Sequence, residues 1–155
     1  MTVRLNQAVE NFFVSATSLK DIKLSALRGY NVVLYFYPKD ETPGCTMEGQ
    51  DFSAHYEDFK KSRTIIFGVS RDPLYAHEQF KSKESFPFEL IADTDEQLCR
   101  LFDVLKPKHI AGKNIIGVER STFLIDKAGV LRKEWRGVNV AGHVKEVLEA
   151  ARALA

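Results

Sequence analysis

Eight consecutive residues, Tyr30-Asn31-Val32-Val33-Leu34-Tyr35-Phe36-Tyr37, carry no charge and are almost all β-branched or aromatic. A run of this kind reads as a central strand buried on both faces, so chain must be found to cover each face. Thr64–Ser70 reads as a second such strand and Phe88–Ala92 as a third, weaker one. Between the first two, Phe52, Tyr56 and Phe59 fall at i, i+4 and i+7, predicting one helix over 45–61. Asp72-Pro73 has the form of an N-cap followed by a first-position proline, opening a helix to about Lys83. Strands separated by helices of this length pair in parallel through crossovers. Thr94-Asp95-Glu96-Gln97 has capping-box spacing, with Leu98, Leu101, Phe102 and Leu105 after it on one face. Ser121–Asp126 and Val130–Trp135, joined through Lys127-Ala128-Gly129, read as a hairpin; Val144, Val147, Leu148 and Ala151 mark a last helix over 141–154. With a short N-terminal hairpin around Phe12–Leu24, the expected class is α/β: a central mixed sheet with helices on both faces, residues 1–155 forming a single domain.

Composition narrows the possible partners. Lys and Arg number 22 against 21 Asp and Glu, a balance of +1 that advertises neither a nucleic-acid nor a membrane-surface partner. The longest apolar run, Val32–Tyr37, falls far short of the ~20 residues that span a bilayer. The start of the chain lacks the apolar core of a signal peptide, so a cytoplasmic location is expected. The only two cysteines, Cys45 and Cys99, are too few for a disulfide framework or a thiolate zinc site. In a reducing compartment a conspicuous cysteine is chemical more often than structural. No glycine pattern suggests a phosphate cradle and no cluster has metal-ligand spacing, so no cofactor is expected.

The chemistry concentrates where the first strand ends. Pro38-Lys39-Asp40-Glu41-Thr42-Pro43-Gly44 leads directly into a helix whose first turn carries Cys45. Sites in open α/β sheets form beyond the carboxyl ends of strands, and the free N–H groups of a helix start favour a thiolate. The third residue after Cys45 is Glu48, so a Cys-x-x-Cys dithiol is excluded. A cysteine–histidine hydrolase would need His55, His77, His109 or His143 as base, and none sits in a recognisable motif.

Pro38-x-x-x-Thr42-x-x-Cys45 resembles the peroxiredoxin active-site motif, and Thr42-Pro43-Gly44-Cys45-Thr46 is similar to its bacterioferritin comigratory protein, or peroxiredoxin Q, subfamily. The likeness extends through Tyr35–Pro38, Gly68-Val69-Ser70, Ala92-Asp93 and Glu119–Asp126. Ala8-Val9-Glu10-Asn11-Phe12 stands where members often have Ala-Pro-x-Phe. The resemblance implies a thioredoxin-like fold and thiol-dependent reduction of hydrogen peroxide and organic hydroperoxides. It makes Cys45 the peroxidatic nucleophile, with Thr42 bonding the peroxide, Pro38 shielding the thiolate, Arg120 stabilising the pocket and Glu48 holding Arg120.

Thiolate formation alone does not explain such a rate. For any thiol, a drop in pKa from ~8.5 to ~6 yields roughly 30-fold more thiolate at neutral pH, while a Brønsted slope of ~0.45 costs about 13-fold in nucleophilicity. Most acceleration must come from groups that meet charge on the departing oxygen, here Arg120, Thr42 and the first-turn amides. Many members carry a resolving cysteine five residues after the first, where this chain has Gln50; others carry it on the next crossover helix, and residues 73–84 have none. Only Cys99 remains, and a bridge would need the two Cα atoms within ~7 Å. The expectation is a one-cysteine cycle completed by glutathione, a glutaredoxin or thioredoxin, with resolution by Cys99, or a peroxide sensor that oxidises a partner protein, as alternatives. The chain ends just after its last helix, which favours a monomer or weak dimer. Lys106–Asn114 reads as a basic solvated loop.

Overall fold

The computed structural model describes residues 2–155. The described residues form nine strands, β1 (Phe13–Ala16), β2 (Lys20–Lys23), β3 (Asn31–Phe36), β4 (Thr64–Ser70), β5 (Glu89–Ala92), β6 (Leu105–Ile110), β7 (Lys113–Val118), β8 (Ser121–Ile125) and β9 (Leu131–Arg136), with a 3-10 turn at Leu24–Leu27 and five α-helices. These are α1 (Pro43–Ala54), α2 (Tyr56–Lys61), α3 (Leu74–Glu84), α4 (Gln97–Leu101) and α5 (His143–Ala153). Seven strands form one sheet in the order β2-β1-β5-β4-β3-β8-β9. β3, β4 and β5 run parallel, whereas β8 pairs antiparallel with β3 and β1 antiparallel with β5, so the sheet is mixed.

All six residues of β3 are buried, as its composition requires. Side chains alternate across a strand, and the alternation sorts the interior into two layers. Val32, Leu34 and Phe36 point to one side, joining Leu98, Cys99, Phe102 and Phe123. Val33, Tyr35 and Tyr37 point to the other, joining Cys45, Phe52, Phe59, Phe80, Val147 and Leu148. Helices α1, α2, α3 and α5 therefore cover one face and α4 the other. Cys45 and Cys99 lie on opposite faces of the sheet.

Four local expectations are corrected. The predicted helix over 45–61 is two helices, broken at His55 (φ −105°, ψ 10°), whose ring Nδ1 lies 3.0 Å from the Asp51 carbonyl. Phe52 and Phe59 remain fully buried on either side of the break, so the apolar stripe survives it. The cap of α3 is Pro73, with no side-chain cap bond, and Asp72 Oδ1 instead accepts from Ser70 Oγ and the Asp40 amide. α4 has no capping box: Glu96 is its N-cap, and the Asp93 carboxylate takes the amides of Leu98 and Cys99 at 2.9 and 2.8 Å. Lys106–Asn114 is no loop but most of a two-stranded antiparallel hairpin, β6–β7, turned at Ala111-Gly112 with φ +53° and +76°. Two positive φ values suit the two-residue turn that matches strand twist.

Candidate active site

β3 delivers the chain to the site through Tyr37, which is buried, and Pro38, which is half-buried. Thr42 is the N-cap of α1 in extended conformation (φ −83°, ψ 153°) and Pro43 fills the first helical position, where its missing N–H costs nothing. The first bond of the helix ladder runs from Thr46 N–H to the Thr42 carbonyl at 2.9 Å, leaving the Gly44 and Cys45 amides outside that ladder. The Thr42 hydroxyl does not cap the helix; it donates to the Lys39 carbonyl at 2.8 Å, which leaves its oxygen free to accept.

Cys45 is 1% exposed and Glu48, one turn later, is fully buried on the same side of α1. Both face Arg120, which lies just before β8, the antiparallel neighbour of β3. Arg120 Nη1 donates to Glu48 Oε1 at 2.7 Å and Nη2 to Cys45 Sγ at 3.4 Å. One guanidinium thus holds a carboxylate with one nitrogen and addresses the sulfur with the other, a use of a planar fork that lysine does not reproduce. Gly44 makes room: a Cβ there would lie 3.2 Å from Arg120 Nη2. Thr42 closes the same end of the helix.

The electrostatics are lopsided. Burial pushes the Glu48 carboxyl up to about 7, with Arg120 only partly offsetting it, and Glu48 Oε2 has no hydrogen-bond partner. Burial lowers Arg120, but Glu48 and Cys45 outweigh it and hold the guanidinium above its ordinary value. The nearby Tyr35 hydroxyl is buried and unpartnered, its ionisation suppressed by burial and then by Glu48 and Cys45. On the far side of the sheet Cys99 is fully buried, its thiol pushed well up by desolvation and then by Asp93.

Of the sequence-predicted residues, Cys45, Glu48 and Arg120 meet at one point, and Thr42 and Pro38 lie on the segment leading into it. Cys99 is separated from them by the sheet. Sequence reasoning missed Asp40, buried within the same loop and bonded to His77 at 2.6 Å. Its adjacency to Pro38 and Thr42 was the available signal. Among the described residues no group of three His, Cys, Asp or Glu is placed to hold a metal ion, and no helix is long and apolar enough to cross a membrane.

A buried cysteine at a helix start, addressed by an arginine from just before the neighbouring strand of a thioredoxin-like sheet, is the arrangement of the thiol-peroxidase class. The AhpC/TSA family model matches residues 5–134. Peroxiredoxin Bcp of Xanthomonas campestris is 51% identical over 130 residues, covering 84% of this chain and 81% of that protein. Peroxiredoxin Bcp of Bacillus subtilis is 45% identical over 152 residues, covering 98% and 97%. A solved structure of the Xanthomonas campestris bacterioferritin comigratory protein, described for its alkyl peroxide reduction, superposes with a TM-score of 0.89 at 45% identity, covering 95% and 98%. The chain belongs to the AhpC/TSA family and within it is a peroxiredoxin of the Bcp/peroxiredoxin Q group, a thiol-dependent peroxidase.

Proposed function

We propose that this chain, folded as a single domain, reduces hydrogen peroxide and organic hydroperoxides by a one-cysteine cycle at Cys45. The observation that carries the proposal is the shared guanidinium, 3.4 Å from the Cys45 sulfur and anchored at 2.7 Å by Glu48. In the first step the thiolate attacks one peroxide oxygen; the S–O bond forms as the O–O bond breaks. Sulfur gives up two electrons, and the departing hydroxide or alkoxide takes a proton to leave as water or alcohol. Charge builds on that leaving oxygen, where Arg120 and the Gly44 and Cys45 amides are the donors at hand. Thr42, its own proton committed to Lys39, accepts from the peroxide O–H and so sets the angle of approach. Pro38 limits water at the sulfur. The alkyl peroxide reduction of the Xanthomonas campestris relative supports including organic hydroperoxides among the substrates.

The sulfenic acid then needs a second thiol, and Cys99 is poorly placed to supply it. It lies in the opposite layer with its thiol held protonated, and only a thiolate attacks. An external thiol, glutathione or the cysteine of a glutaredoxin or thioredoxin, therefore forms the mixed disulfide and releases water. A second thiol then displaces it and regenerates Cys45. A reducing, cytoplasmic setting fits a chain whose two cysteines are both free. The test is hydroperoxide consumption with each reductant by wild type and Cys99→Ser. Equal turnover is expected, whereas loss of turnover in Cys99→Ser would overturn the one-cysteine cycle.

A further inference from the structure

His77 takes no part in the chemistry above, yet it is completely buried on α3, on the Cys45 side of the sheet. Its Nε2 lies 2.9 Å from the Ile91 carbonyl, which can only accept, so Nε2 carries a hydrogen. Its Nδ1 lies 2.6 Å from Asp40 Oδ2, and that contact holds one proton whichever atom bears it. The other Asp40 oxygen accepts from the Tyr37 hydroxyl at 2.7 Å, and the Asp40 amide donates to Asp72 at 3.3 Å. One side chain in the loop is thereby fastened to the end of β3 and to α3, and through His77 to β5. Fully satisfied buried networks of directional bonds define one geometry where apolar packing would tolerate several.

The loop needs fastening. Glu41, between Asp40 and Thr42, sits at φ +61°, a left-handed conformation that costs a non-glycine residue on the order of 1 kcal/mol. Backbone of that kind persists where its surroundings over-determine it. Here Asp40 is fixed on one side, and on the other the Thr42 hydroxyl reaches back to Lys39.

We propose that Asp40 and His77 are a positioning pair that holds the Pro38–Thr42 loop in the shape peroxide attack requires. The proposal rests on the assignment of Cys45 and Thr42 as the peroxide site. A loop misplaced by about 1 Å costs up to about 100-fold in a reaction that depends on aligned groups. Alkylation of Cys45 by iodoacetamide needs the nucleophile but no hydrogen-bonded peroxide, so the two rates separate positioning from general damage.

The experiment measures second-order rates of the full chain with hydrogen peroxide and with iodoacetamide. His77→Ala and Asp40→Ala are expected to lose about 10- to 100-fold with peroxide and to stay within about threefold with iodoacetamide. Asp40→Asn can still accept from Tyr37 and donate to His77 Nδ1, and should recover the peroxide rate to within about threefold. Tyr37→Phe removes one bond and only the volume of a hydroxyl, gives an intermediate loss, and with Asp40→Asn decides the matter should His77→Ala fail to fold. Wild-type peroxide rates in the folded variants, parallel loss of both rates, or Asp40→Asn as slow as Asp40→Ala would each overturn the proposal. If wild-type Cys45 does not react with peroxide at all, the site assignment falls and the pair's role with it. If it reacts and the variants match it, only the pair's role falls.

Discussion

Replacing Glu48 by glutamine tests the electrostatics of the site through stability, independently of turnover. The carboxyl is fully buried, and only one of its oxygens has a partner, so burial outweighs the Arg120 pair and moves its titration from 4.5 to about 7. At ~1.36 kcal/mol per tenfold change in proton affinity, that gap amounts to about 3 kcal/mol. The folded state favours the protonated acid. Its contribution is therefore complete below pH 4.5, is lost as the pH climbs through about 7, and stays lost above. Glutamine keeps the shape and an acceptor for Arg120 but does not titrate. Asp126 and Glu89, whose carboxyls are held below their ordinary values, act at lower pH and equally in both proteins. Urea unfolding at pH 5 and pH 8 should show wild type losing about 2–3 kcal/mol relative to Glu48→Gln as the pH rises, roughly a 1 M shift of relative midpoint for an m-value of ~2 kcal/mol/M. A pH-independent difference, or wild type gaining on the variant, would refute the reasoning and put the ion pair ahead of burial.

Arg120→Ala should slow peroxide reduction by about 100- to 1,000-fold, the scale for removing a donor to developing charge, while iodoacetamide alkylation of Cys45 falls less than tenfold; equal losses would mean that arginine acts only on the ground-state thiol. Thr42→Val keeps the side-chain shape but removes both the acceptor and the bond to the Lys39 carbonyl, and stopped-flow peroxide rates should fall by about tenfold or more. Gly49→Ala should destabilise the fold by about 1–3 kcal/mol in thermal or urea unfolding, because the new Cβ would sit 2.8 Å from Phe86 Cε1 in the packed layer beneath α1.

Much of this architecture is legible in the sequence because local pattern and burial agree. Val32–Tyr37 is an unbroken apolar and aromatic run because both faces of β3 are covered, and the α5 stripe Val144, Val147, Leu148 and Ala151 is buried as its period requires. The Thr42-to-Cys45 segment is short enough for its motif to read directly. Arg120 stands far downstream in the chain, and only the strand order that sets β8 beside β3 brings it to the sulfur. What stayed hidden lacks such a signature. The β6–β7 hairpin has little buried surface, and its strands mix Lys, His, Asn and Pro with exposed Ile110, Ile115 and Ile116, which blurs the alternation. The break at His55 leaves the apolar stripe intact, so periodicity passes through it. The capping of α4 by Asp93 depends on the tertiary path of the preceding turn. The Asp40–His77 link joins residues 37 positions apart through side chains alone.

The most direct test of the central claim is the intact mass of the fully reduced protein after one equivalent of hydrogen peroxide, with no thiol added. The expected product gains one oxygen, located on Cys45, and leaves Cys99 a free thiol. Loss of two hydrogens would join the two cysteines across the sheet and contradict the one-cysteine cycle. An unchanged mass would contradict peroxide chemistry at Cys45 altogether.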